Sequence, residues 1–307
     1  MTIRETSLAR LLAIRPKFAE VGIDIDDYIV EGEPQTRYGF AFDPLDREAL
    51  YDALMTTKSG RMRRLFGTSV KTEKGQKRGV ATIVLYMAAS IMSGINLCAW
   101  ASPGCSKACL GHTTGRLRMS TAQRAQLMKA LAWHASKRCF LRQMDREIRA
   151  HVRKCEKEGY IAAVRGNGST DILWERYGVP QRHPAAEFYD YTKAPYRARR
   201  AVDDIPNYSL TYSVSEAGHS IGEALKYLQA GGNAALVVAG ERAEGTHLLR
   251  YAKATAIELV RDGWHGFPAV DGDETDTRFD DPPGHWVVLY AKGAVALRDT
   301  TGFVQRF

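Results

Sequence analysis

Three cysteines lie close together in one stretch of the sequence, and their spacing limits what the surrounding chain can form. Cys98, Cys105 and Cys109 make a C-x6-C-x3-C array. Pro103-Gly104 directly precedes the second cysteine and is a dipeptide typical of turns, so the chain can fold back towards Cys98. Cys105 and Cys109 would share one face of a helix that follows the turn. We therefore predict that the three sulfurs converge on one point.

Converging thiolates indicate a metal centre, because thiolates are soft ligands that favour iron–sulfur clusters, zinc or Cu(I). Structural zinc sites usually use paired short cysteine spacings or two histidines, and this sequence has no second cysteine pair. We predict a [4Fe–4S] cluster whose fourth iron takes a ligand other than cysteine, with His112 as the nearest candidate. Two alternatives stay open: zinc with His112 or another side chain as fourth ligand, and cysteines that only fill space as small hydrophobic residues.

Further segments accompany the cysteine array, at residues 115–116, 165–172, 188–193 and 291–293. In this combination the chain, from about residue 65 to residue 307, resembles an actinobacteriophage gene-product family without an assigned activity. The resemblance implies a phage origin and a shared three-cysteine centre.

A three-cysteine cluster with one open iron also resembles, more loosely, the centre of the radical S-adenosylmethionine enzymes. Their usual spacing is C-x3-C-x2-C, and both gaps are longer in this sequence. The resemblance implies S-adenosylmethionine as a further candidate cofactor, although no glycine motif for that cofactor follows the next predicted strand.

The cysteine count and the first residues bear on the compartment. Five cysteines, three of them clustered, do not suit a disulfide framework and favour a reducing compartment. The first six residues carry charges of both signs with no apolar stretch after them, so no signal peptide is indicated. The longest apolar run, residues 80–92, is too short to cross a bilayer. We expect no membrane partner and a location in the host cytoplasm during infection. The oligomeric state is left open.

The pattern of apolar residues predicts two parts, an N-terminal helical extension at 1–75 packed on a barrel-like α/β domain at 76–307. In the second part, predicted strands are mostly separated by helices, which implies parallel strands with right-handed crossovers. We predict a full or partial (β/α) barrel, because polar segments that contain glycine repeatedly follow the strands; an open doubly wound parallel sheet is the alternative. The predicted strands are 80–88, 161–165, 187–191, 209–214, 234–239, 267–270 and 286–291, and the clearest later helices are 220–229 and 246–261.

Polar side chains follow these strands, and a barrel would gather them at one mouth beside the cysteines. There they would line a small-molecule or nucleotide pocket next to an open iron site, which is an enzymatic hypothesis. The Asp171 carboxylate has an equally good interpretation as a helix N-cap. The candidate catalytic residues are Arg165, Asp171, Asp190, Glu216 and Lys292.

A second function class is binding of nucleic acid, which the net charge of +8 permits. The helical stretch 121–158, with one break, has a buried stripe that includes Cys139 and Cys155. Its other face is basic, and so is the segment 196–200. In this alternative the cluster, or zinc, is structural or redox-sensing in a nucleic-acid-associated phage protein. The competing interpretation is an ordinary solvated helix face. The basic residues of the helix are Arg124, Lys137, Arg142, Arg146, Arg149, Arg153 and Lys157.

Overall fold

A computed structural model describes residues 3–30, 44–113, 115–242 and 244–307. In this structure, the strands expected from the apolar pattern make up most of one mixed sheet. All seven predicted strands are present within a few residues of their predicted ends, and two short strands join them. The strands are β1 Phe66–Gly67, β2 Val80–Leu85, β3 Ile161–Arg165, β4 Glu187–Thr192, β5 Tyr208–Ser213, β6 Asn233–Ala239, β7 Ala269–Asp271, β8 Trp286–Tyr290 and β9 Gln305–Arg306.

The sheet is mostly parallel and open. Its order is β1-β2-β3-β4-β5-β6-β8-β7, with β9 added beside the end of β6, and only the β1–β2 pair is antiparallel. Strands β2 to β6 follow one another in chain order, as they do in a (β/α) barrel. However, β1 and β7 are the two edges of the sheet in the described part of the chain, so the expected full barrel is not formed. The architecture is an open α/β sheet or a partial barrel.

Helices connect the strands, and the long predicted helical stretch is broken once, at Ser136. The Ser136 hydroxyl accepts a hydrogen bond from the Cys139 amide (3.3 Å) and caps the second of the two helices. The helices are α1 Ile3–Ala13, α2 Arg15–Glu20, α3 Arg47–Met55, α4 Val70–Gln76, α5 Pro103–Lys107, α6 Leu110–Thr113, α7 Ser120–Ala135, α8 Lys137–Glu158, α9 Tyr196–Arg199, α10 Ser220–Gln229, α11 Leu248–Asp262 and α12 Gly293–Leu297.

The N-terminal helices share a core with the start of the sheet. Phe18 of α2 and Leu50 of α3 are buried in the same cluster as Phe140 of α8 and Val164 of β3. A partly buried contact adds to this packing, since the Glu147 carboxylate accepts hydrogen bonds from the Leu65 and Phe66 amides, just before and at the start of β1. The division at residue 75 stays a prediction.

The face of the sheet opposite the main helical core is covered by the connection between β7 and β8. Tyr189 of β4 lies there with Val80 of β2, and its ring meets that of Phe279 at 5.7 Å between centroids. Successive side chains of a strand point to opposite faces of the sheet, so one strand contributes to two separate environments. Among the described residues, no helix combines the length and the apolar character needed to cross a membrane.

Candidate functional site

The turn after β2 presents the sulfur of Cys98 to a backbone donor. Ser90 adopts a positive φ of 49°, which is uncommon for a residue other than glycine. In that conformation its amide donates to the Cys98 Sγ (3.3 Å), and its carbonyl accepts from the Leu97 amide (3.0 Å). Backbone strain of this kind persists only where the surrounding structure fixes it, so the turn holds Cys98 in one place.

The second cysteine, Cys105, is positioned by α5 and by a carboxylate from the segment after β5. Ser102 caps α5 by accepting a hydrogen bond from the Cys105 amide (3.2 Å). Glu216, which follows β5, accepts from the Ser102 hydroxyl (2.6 Å) and from the Gly104 amide (2.5 Å). The predicted residue Glu216 therefore ties the cysteine loop to the carboxyl end of β5.

The three thiols are partly buried and lie close enough to affect one another. Burial raises the pKa of all three thiols, that of Cys98 to about 12. Negative charge on Cys109 or Cys105 raises the pKa of Cys98 further, and Cys105 does the same to Cys109. Two backbone amides oppose this rise by donating to sulfur, Ser90 to Cys98 and Gly111 to Cys109. The thiols are thus neutral at pH 7 when nothing is bound to them.

A lysine ammonium lies beside these sulfurs. Lys193, directly after β4, donates to the Ser213 carbonyl (3.0 Å), the Ser213 hydroxyl (2.9 Å) and the Val214 carbonyl (3.2 Å). It also lies 5.0 Å from the centre of the Phe303 ring. Burial lowers the pKa of Lys193, while its positive charge lowers the pKa of Cys105 and Cys109. This ammonium favours the thiolate form of its neighbours.

The predicted residue Asp171 belongs to the same place. Its carboxylate accepts hydrogen bonds from the Thr192 hydroxyl and the Lys193 amide, both at 2.8 Å. Its own amide donates to the Leu97 carbonyl (3.0 Å), next to the first cysteine. Burial raises the pKa of Asp171, and the nearby Arg199 guanidinium opposes that rise. Asp171 thus links the segments that follow β2, β3 and β4.

Asp190 lies beneath the site and positions the loop after β3. Only 1% of this residue is exposed, and its carboxylate accepts from the Asn167 amide (2.7 Å) and the Tyr208 hydroxyl (2.9 Å). Burial raises the pKa of Asp190 to about 7. A side chain on Gly166 would meet Trp174 at 2.5 Å, so the glycine allows a close approach. Since the carboxylate is enclosed, its contribution is to hold the loop.

Arg199 is an ionic partner that sequence reasoning missed. The sequence placed it in the exposed basic segment 196–200, and this was wrong for Arg199, whose side chain is 0% exposed. Its guanidinium pairs with Glu175 (2.8 Å) and Asp171 (3.3 Å) and donates to the Tyr208 hydroxyl (3.0 Å). No local signal distinguishes it from Arg197 and Arg200, because its partners come from distant segments.

The other two predicted catalytic residues lie with other partners. Arg165 pairs with Asp276 (3.1 Å) of the β7–β8 connection and lies 5.0 Å from the Tyr191 ring centre. Lys292, after β8, pairs with Asp273 and lies 4.4 Å from the Tyr290 ring centre. Of the five predicted residues, Asp171 and Glu216 therefore form hydrogen bonds to the cysteine loop.

Cys139 and Cys155 lie in the hydrophobic core, as predicted from the apolar stripe of α8. The His112 side chain lies outside the described part of the structure, although its backbone is in α6. In the described residues, no three side chains of histidine, cysteine, aspartate or glutamate come together closely enough to hold a metal ion. This geometry does not support the predicted iron–sulfur centre, and binding there requires the three thiols to move closer together.

A family model described as Gene product 88 matches residues 60–306 of the chain. The matched range contains the whole sheet and all three loop cysteines. No curated protein and no solved structure gives a significant match.

Proposed function

The chain belongs to the Gene product 88 family of phage proteins, and from this premise we propose that its three loop cysteines ligate a [4Fe–4S] cluster. Cys98, Cys105 and Cys109 would each bind one iron at the carboxyl ends of β2 to β5. The observation that carries the proposal is the placement of three free thiols on one loop segment after β2, close enough that charge on Cys105 raises the pKa of Cys98 and of Cys109. In parallel α/β sheets, this end of the strands is where active sites are built.

The donors around the sulfurs suit a cluster. Backbone amides of Ser90 and Gly111 donate to two of the sulfurs, and hydrogen bonds to cysteine sulfur are among the interactions that set cluster potentials. The Lys193 ammonium adds positive charge next to Cys105 and Cys109. Both features oppose the rise in pKa that burial causes and so favour the thiolate, which is the state that a metal requires.

The sequence spacing of the cysteines is the argument for a cluster over one zinc ion, because structural zinc sites usually use paired short spacings. A single zinc ion needs every sulfur at about 2.3 Å from the same atom, whereas the cysteines of a cluster bind different irons. Zinc remains the alternative, and metal analysis of the purified protein distinguishes it from the cluster.

An open iron would give the centre an enzymatic role. When bound, the cluster would supply electron-transfer or Lewis-acid chemistry at that iron. His112 and Asp171 are the protein candidates for its fourth ligand, and S-adenosylmethionine or another small molecule or nucleotide is the exogenous one. Asp171, Lys193 and Glu216 would supply hydrogen-bonding and charged groups around such a ligand. We place this activity in the host cytoplasm.

The proposal is tested by purifying the protein without oxygen and measuring iron, sulfide and the visible spectrum. We expect about four irons and broad absorption from sulfur-to-iron charge transfer. Replacement of Cys98, Cys105 or Cys109 by alanine should abolish the absorption, whereas Cys139→Ala and Cys155→Ala should retain it. Colourless protein with stoichiometric zinc would establish the alternative, and colourless protein without metal would refute both. Added S-adenosylmethionine should perturb the electron paramagnetic resonance signal of the reduced cluster if it binds the open iron.

A further inference from the structure

Two basic segments that are about 80 residues apart in sequence lie side by side in the fold. One is α8, and the other is the chain from Arg61 to Arg64, which leads into β1. Gln143 of α8 donates to the Arg63 carbonyl (2.7 Å), and Glu147 accepts from the Leu65 amide (3.0 Å). These hydrogen bonds fix the second segment along the helix.

Arginines form a stripe on the exposed side of α8. Arg142, Arg146, Arg149 and Arg153 follow steps of four, three and four residues, and all four are exposed. Steps of this size place side chains one above another on a helix. With a rise of 1.5 Å per residue, the stripe is about 16 Å long. Arg61 and Arg64 add exposed positive charge from the neighbouring segment.

A groove of about 510 Å³ lies along this stripe. Its lining includes Met62 of the neighbouring segment and Arg142, Arg146 and Arg149 of the helix. Met62 is 44% exposed and adds an apolar surface to the groove. The volume of the groove lies in the range of ligand clefts, about 300–1,000 Å³.

Two of the three carboxylates that line the groove have charged or hydrogen-bonding partners, and the third, Asp52, is exposed. Glu48 pairs with Arg138 (3.0 Å) and Arg142 (3.2 Å). Asp145 pairs with Arg182 (3.0 Å) and His183 (2.8 Å). Within the described residues, Arg146, Arg149 and Arg153 form no ion pair, so their charge is not neutralised by the protein.

We propose that this groove binds single-stranded nucleic acid through its phosphate backbone. Phosphates would pair with the Arg146, Arg149 and Arg153 guanidiniums, and Arg61 and Arg64 would hold the strand from the other edge. Positively charged grooves of this kind track a single strand without reading its sequence. The contact chemistry is common to DNA and RNA. The inference is independent of the cluster, since α8 and its arginines lie outside the thiol site.

The test measures fluorescence anisotropy of a labelled oligo-dT of about 20 nucleotides with the full-length protein as salt is varied. Affinity should fall as salt rises. The triple variant Arg146→Gln, Arg149→Gln, Arg153→Gln should lose at least about tenfold in affinity at low salt and reduce the salt slope by about 2, at about 0.7 per phosphate. The corresponding Arg→Lys variant should keep most of the slope, because it keeps the charge.

A matched control removes the same number of positive charges from other parts of the surface. Arg242, Arg250 and Arg298 are exposed, and their replacement by glutamine should leave binding near the wild-type value. Equal loss in the control would show that net charge alone is responsible and would overturn the proposal. Undetectable binding at low salt, or a duplex that binds as tightly as the single strand, would overturn it as well. An oligo-rU arm distinguishes RNA from DNA, and a Cys98→Ala variant that still binds separates this result from the fate of the cluster.

Discussion

The two sets of cysteines in this chain have the same chemistry and opposite surroundings. Cys139 and Cys155 are buried on the inner side of α8, where one helix and its local periodicity determine their environment. Cys98, Cys105 and Cys109 lie on the loop segments after β2, and their neighbours come from the ends of β3, β4 and β5. The burial of a helix cysteine can therefore be recognised from local periodicity, whereas the surroundings of a loop cysteine depend on distant parts of the chain.

Removing the buried cation under the loop cysteines should have the largest effect. Arg199→Met leaves the Asp171 and Glu175 carboxylates buried without their partner. Loss of one member of a buried ionic group costs about 3–5 kcal/mol, so the free energy of unfolding measured with denaturant should fall by that amount. Hydrogen exchange should increase first in the loops after β2 and β3.

Arg197→Met is the matched control, because this side chain is exposed on the same short helix. The Arg197→Met substitution should change the free energy of unfolding by no more than about 0.5 kcal/mol. If α8 around Cys155 lost protection as early as the loops, the two cysteine environments would not be separate.

Alkaline pH should destabilise the metal-free protein through Cys98. Its pKa is about 12 in the folded protein against 9.0 for the unperturbed thiol, so the folded state favours the neutral thiol. The stabilisation that comes from keeping the Cys98 thiol neutral is therefore fully present below pH 9 and is lost as the pH rises towards 12. The free energy of unfolding should fall by up to about 1.4 kcal/mol per pH unit in this window.

This contribution is measured by denaturant titrations of the wild type and of Cys98→Ala at several pH values. The slope due to Cys98 should disappear in Cys98→Ala and persist in Cys155→Ala. An unchanged slope in Cys98→Ala would assign the alkaline loss to tyrosines or lysines instead.

Truncation of a helix cysteine should affect stability alone. Cys155→Ala removes a sulfur that is 1% exposed and leaves a small cavity, which should lower the free energy of unfolding by about 1 kcal/mol. Iron content should equal that of the wild type. Loss of iron from this variant would remove the distinction between the two sets of cysteines.

The smallest expected effect comes from the carboxylate that supports α5. Glu216→Gln weakens the acceptor for the Ser102 hydroxyl and the Gly104 amide, at a cost of about 1 kcal/mol, comparable to loss of a helix cap. Because these hydrogen bonds position the start of α5 and with it Cys105, we expect iron to be incorporated more slowly when the metal-free protein is reconstituted. Glu258→Gln on the exposed side of α11 is the control and should reconstitute at the wild-type rate.

Local sequence pattern determined most of the secondary structure. Strand β3 and helix α10 have the ends that the apolar pattern predicted, and the helical stretch 121–158 breaks once, at Ser136. The same pattern assigned Cys139 and Cys155 to the core. These predictions succeed because periodicity, capping residues and turn dipeptides act over a few residues.

Part of the candidate site was also determined by sequence. The cysteine loop, Asp171 and Glu216 follow β2, β3 and β5, and parallel strands bring such segments to one end of a sheet. This rule requires only the order of strands and crossovers, so it identified the neighbourhood of the thiols without any knowledge of side-chain contacts.

Only the tertiary structure decided which polar residues reach that neighbourhood and which lie beneath or opposite it. Arg165 lies with Asp276 of the β7–β8 connection, and Arg199 is buried between carboxylates more than twenty positions away. Whether the sheet closes was decided in the same way, since closure depends on the accumulated twist and on the pairing of edge strands. Burial and pairing of a charge are sums over distant neighbours, and no local pattern contains them.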